Sequence, residues 1–117
     1  MIHRLKIETV RFLLKFSEEF IKMNDKHFFN DLVNLLLKDR ETTYDDYVFV
    51  IEHEHTIIHD KISALNSMFH LKISSSKDGV EFLKKRLSNL KMSENQSDEI
   101  QHQIITCERL LRKVKKN

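Results

Sequence analysis

Three of the seven histidines in this 117-residue chain, His53, His55 and His59, fall within one short stretch. On an α-helix, His55 and His59 are spaced i, i+4, so their rings project from one face and can share a metal ion. Zinc needs one or two further ligands. Glu52 lies three residues before His55, and His27 or His102 can come from another helix. The competing account is structural: His55 bonded to a neighbour inside a helical core, with His53 and His59 flanking it. No glutamate lies within His55-Thr56-Ile57-Ile58-His59, which removes the helical metalloprotease arrangement.

The H-x-x-x-H step resembles that of helical di-iron bundles, but the companion Glu and Asp ligands at regular spacing are missing. The dipeptide His59-Asp60 resembles the phosphoacceptor helix of sensor kinases and phosphotransfer bundles. With no nucleotide-binding segment, that resemblance implies only a transfer or docking role. Cys107 is the single cysteine, so an internal disulfide and a multi-cysteine zinc site are excluded. It falls in an apolar phase and reads as a small core residue. The serines at 74–76 have no histidine near them in sequence, and no glycine-rich loop is present to hold a phosphate. Covalent and acid–base catalysis have no support, so the chain is read as non-enzymatic and without a cofactor.

The formal net charge of +2 is unevenly placed. From Asp39 to Asp60 there are seven acids against one base, and from Val80 to Asn117 nine bases against five acids. Such polarity steers a partner, or a second copy, into register. Lys84, Lys85, Arg109, Arg112 and Lys113 are the candidates for contacting nucleic-acid phosphates. No helix-turn-helix pattern, RNA-reading aromatic motif or basic zipper accompanies them.

Helices must position these groups. Proline is absent and glycine occurs once, at Gly79. Tyr44, Val48, Ile51, His55, Ile58, Ile62, Leu65 and Phe69 follow a four-three rhythm for more than three heptads. That spacing predicts one continuous helix over 44–72, roughly 40 Å long. Val50, Ile57, Ala64 and Leu71 form a second row beside it. Thr43 and Asp46 resemble a capping box at its start.

A helix over 3–23 carries two stripes, Leu5-Phe12-Phe16-Phe20 and Ile7-Val10-Leu14-Ile21. A helix over 25–38, capped by Asn24 or Asp25, is apolar nearly all round. Residues 39–42 are a polar link, and Ser74 to Gly79 form the clearest break. Helices over 79–91 and 97–115 follow, the first capped by Asp78 with Glu81 and the second by Ser93 or Ser97. Leu83, Leu90, Ser97, Ile104 and Leu111 share one heptad phase and would also permit a single helix. The apolar stripe stops from Lys91 to Glu99, which favours a turn there.

The expected fold is therefore an all-α, up-and-down bundle of four or five helices in one domain over 1–117. The long helix is its spine, and the apolar rows point to a homodimer. The expected function is a non-enzymatic protein–protein interaction module, such as a small regulator, inhibitor, immunity factor or chaperone, acting on another protein. Phe28, Phe29, Glu52 and Glu54 are its candidate contact residues. Metal binding by His55 and His59, and nucleic-acid binding by the basic end, are the alternatives. No apolar run long enough to span a bilayer and no secretory signal are evident, so a cytoplasmic location is expected.

Overall fold

The computed structural model describes residues 6–70 and 77–116, and the described residues are helical throughout, with short connections. Seven helices are present among them: α1 (Ile7–Lys15), α2 (Ser17–Lys22), α3 (Lys26–Lys38), α4 (Tyr44–Glu52), α5 (Ile58–His70), α6 (Lys77–Met92) and α7 (Asp98–Lys116). The all-α class is as expected. No helix among the described residues is long and apolar enough to cross a membrane. The chain divides into two compact units, Met1–Asp60 and Lys61–Asn117.

In the first unit α3 packs against α1, α2 and α4. Its Phe29, Leu32, Val33 and Leu36 are buried. The helix is not covered on every side as its apolar content suggests: His27, Asp31, Asn34 and Lys38, spaced four, three and four apart, keep one face in water. The central element of this unit is nonetheless α3, not the helix expected over 44–72.

That long helix is broken. Residues 53–57 are non-helical, and α4 and α5 lie on either side. The cause is local. His53 closes α4 with extended backbone (φ −69°, ψ 127°). Its Nδ1 accepts the backbone N–H of His55 at 3.2 Å, a side-chain acceptor in place of a helical carbonyl. Thr56 and Ile57 follow, both β-branched and poor at sustaining a helix. The two apolar rows hold in the helices on either side and fail at the break. Val50, Ile51, Ala64 and Leu65 are buried as the two rows predict, but Ile57 is 47% exposed and Tyr47, outside both rows, is buried.

The first expected helix is also divided. Phe16 (φ −107°, ψ 21°) separates α1 from α2. Ile7, Val10, Leu14 and Ile21 are buried, so the second stripe is the core-facing one, whereas Phe12 and Phe16 of the first are exposed. After α2, Asn24 adopts the left-handed conformation (φ 66°). Its N–H bonds to the Ile21 carbonyl and that of Asp25 to the Phe20 carbonyl, both at 2.9 Å. This paired closure usually takes glycine; asparagine is the next best tolerated residue. Asp25 then caps α3 by accepting from the Phe28 N–H. Thr42 donates its hydroxyl to the carbonyls of Leu36 and Asp39, satisfying the end of α3. The Thr43–Asp46 capping box is formed at α4.

In the second unit α6 and α7 pack on each other. The turn expected between them occupies 93–97. Ser97 Oγ accepts the Ile100 N–H at 3.3 Å, capping α7. Asp78 lies in the first turn of α6; Ser74 to Ser76 are outside the described residues. Arg86 donates to Gln103 across α6 and α7 at 2.9 Å. Ala64, Leu65, Met68, Leu83, Leu90, Ile104, Cys107 and Leu110 supply the buried apolar residues here.

Cys107 is fully buried. Burial pushes its thiol up to about 11, with Arg86 acting against the shift and Glu108 adding to it. A thiol so raised yields almost no thiolate at neutral pH. Iodoacetamide is expected to leave Cys107 unmodified in the native protein and to alkylate it readily in guanidinium chloride. Equal rates in both conditions would contradict the placement.

Candidate functional site

The connection between α4 and α5 gathers four titratable side chains, Glu18, His53, Glu54 and His55. The His53 ring lies 4.6 Å from the Phe29 ring and 5.3 Å from the Phe49 ring, between centroids. Because Nδ1 accepts from His55, the proton of the neutral ring sits on Nε2. Nε2 faces Ser17 Oγ at 3.3 Å and Glu18 Oε1 at 3.6 Å. Ser17 is buried at the start of α2, and Glu18 follows it on the solvent side. The two helix breaks, at Phe16 and at His53, therefore meet through Ser17 and His53.

Glu54 and His55 are consecutive. In a continuous helix their side chains would diverge by about 100°. In the open connection they turn together, and His55 Nε2 is 3.5 Å from Glu54 Oε1. One ligand atom from each of Glu18, Glu54 and His55 lies within 4.8 Å of the other two. The side chains of Glu18 and Glu54 are 55% and 77% exposed, and that of His55 is 29% exposed.

A second feature is built on α1 and on Phe16, which closes it. Phe12 and Phe16 are 59% and 52% exposed, and their rings lie 5.1 Å apart at a tilt of 60°. On the same helix, Arg11 and Leu14 help line a depression of about 200 Å³. Leu36, Phe49 and Asp46 complete much of its lining. Arg11 grips Asp46 through Nε (3.0 and 3.1 Å) and Nη2 (2.8 Å), and Nη2 also donates to the Glu41 carbonyl. Burial alone would push the Asp46 carboxyl up. The Arg11 hydrogen bonds, the Thr43 N–H and hydroxyl, and the Arg11 charge outweigh it and hold the carboxyl below its usual range.

The residues singled out from sequence fall in several places. His55 lies in the 53–57 connection and His59 is exposed on α5. The shared helical face that would have paired them is absent because the helix is. Asp60, next to His59, is buried, and loss of water pushes its carboxyl up while His59 opposes the shift. Phe29 is fully buried and belongs to the core. Phe28 is half-buried, its ring 4.9 Å from that of Phe20 in an edge contact. Glu52 and Glu54 are exposed. Lys84, Lys85, Arg109, Arg112 and Lys113 are all exposed on α6 and α7. Arg109 donates to Asn66 Oδ1 at 2.8 Å, and nearby Lys91 pairs with Glu108 at 3.3 Å, so acids and amides are interleaved with this basic surface.

Sequence reasoning missed Glu18, the outward Phe12–Phe16 pair and the Arg11–Asp46 clamp. The last two left traces: Phe12 and Phe16 share a stripe, and Arg11 is the one base between Lys6 and Lys15. No protein-family model, curated protein or solved structure matches this chain.

Proposed function

We propose that this chain is a non-enzymatic protein–protein interaction module, a small regulator, inhibitor, immunity factor or chaperone that engages another protein through a helical face. The supporting observation is the exposed pair of Phe12 on α1 and Phe16 at its C-terminal end. Covering a phenylalanine side chain is worth about 1.5–3 kcal/mol, and two adjacent exposed rings form a ready anchor for a partner. The depression beside Leu14, Leu36 and Phe49 extends apolar contact along the same helix, with Arg11, Lys15, Asp45 and Asp46 offering charges of both signs. The same face would serve a second copy of the chain in a homodimer.

The test compares wild type with Phe12→Ser/Phe16→Ser. Both are used as bait in native extract at physiological salt, and both are sized by light scattering. The wild type is expected to retain a partner, or to run as a dimer, and the variant to lose it with no drop in melting temperature. A monomeric wild type that captures nothing, or that captures only what the variant captures, would refute the reading.

A further inference from the structure

We propose that Glu18, Glu54 and His55 form a binding site for a divalent transition-metal ion of the zinc type. The site is independent of the docking face on α1. Its donors come from two places far apart in sequence, α2 and the connection after α4, and converge within 4.8 Å. One imidazole nitrogen and two carboxylate oxygens are a donor set that zinc accepts, with the fourth position left to water.

Tetrahedral zinc with bonds of 2.0–2.1 Å requires donor atoms about 3.3 Å apart. His55 Nε2 and Glu54 Oε1 already stand at 3.5 Å. The remaining approach falls to the Glu18 and Glu54 side chains, both of which are exposed.

Two further observations point to a cation. Among the described residues, the ion pairs of Glu18 and Glu54 are with His53 and His55 alone, and no lysine or arginine neutralises them. Two carboxylates brought this close repel, and a shared cation relieves the repulsion. The second is the backbone. Consecutive residues face one point only because the helix opens at 53–57, and the His53 Nδ1 bond to the His55 N–H holds it open. The same ring presents its Nε2 proton toward Glu18, the kind of outer partner that orients a ligating carboxylate.

The test uses the untagged full chain, stripped with chelator and titrated with zinc chloride by calorimetry. One zinc per chain is expected, with a rise in melting temperature. Removing an outer partner of a metal site typically weakens binding 10- to 100-fold, so Glu18→Gln and His55→Gln, which remove ligands, should each weaken it by about tenfold or more. His59→Gln should bind as the wild type does, because His59 is not in the cluster. Glu18 is largely exposed, so Glu18→Gln keeps the fold, which circular dichroism checks. No uptake by wild type, unchanged affinity in Glu18→Gln and His55→Gln, or loss in His59→Gln would each overturn the proposal.

Discussion

Replacing Leu65 with alanine is expected to destabilise the protein by about 2–5 kcal/mol, the range for truncating a large aliphatic side chain in a close-packed core. Leu65 is fully buried on α5, with Ala64 and Met68 beside it equally buried. Removing its branched end loses the transfer energy of three carbon atoms and leaves a void that rigid neighbours fill only in part. For a chain of this size the melting temperature should fall by about 10 °C or more. The informative companion is Ile57→Ala. An unbroken four-three helix would put Ile57 in a buried row with Val50 and Ala64. In the structure it is 47% exposed, so its truncation should change stability by about 0.5 kcal/mol or less. Thermal unfolding of the two variants separates the accounts: comparable losses at both positions would restore the continuous helix, and no loss at Leu65 would show the core phase to be wrong.

Asp46→Ala is expected to cost about 2–4 kcal/mol at neutral pH. It removes the capping interaction at α4, worth about 1 kcal/mol, and the charge-assisted bonds from Arg11, worth about 1.5–3 kcal/mol. Asp46 is 8% exposed and ties α1 to α4 through Arg11. The pH dependence follows from the lowered carboxyl. A group whose folded pKa lies below its unfolded value stabilises the fold above that unfolded value, and the contribution is lost as pH falls through the folded pKa. The unfolded reference is 3.8. The difference between wild type and Asp46→Ala should therefore be flat from pH 5 to 8 and shrink progressively below about pH 4. Urea unfolding across that range is the measurement. A difference that instead grows on acidification would invert the sign and reject the clamp.

Local rules carried the sequence reading a long way. The capping box at Thr43, the Asp25 and Ser97 caps and the turn over 93–97 were all legible, because each depends on residues within a few positions of one another. The α3 helix was legible from its Asp25 cap and apolar residues, but its apolar content hid the face of His27, Asp31, Asn34 and Lys38 that stays in water. What failed was the expectation that both stripes of the first helix pack, and the continuity of 44–72. Periodicity shows that Phe12 and Val10 lie on different faces but not which face meets α3, since phenylalanine is the more apolar of the two. It also counts His55 and Ile57 as members of a repeat without asking what competes for the backbone. The competitor is the ring of His53, which packs on Phe29 and takes the His55 N–H. The packing on Phe29 joins positions distant in sequence, and no local pattern announces it. Glu18 was invisible for the same reason, because only the folded first unit brings it to Glu54 and His55.

The opening at 53–57 is central, since the exposure of Ile57 and the convergence of Glu18, Glu54 and His55 both follow from it. Backbone ¹³Cα chemical shifts measure it directly. Helical shifts over 44–52 and 58–70, with non-helical values over 53–57, are the predicted result. Uninterrupted helical shifts from Tyr44 through His70 would contradict it and remove the metal site as well.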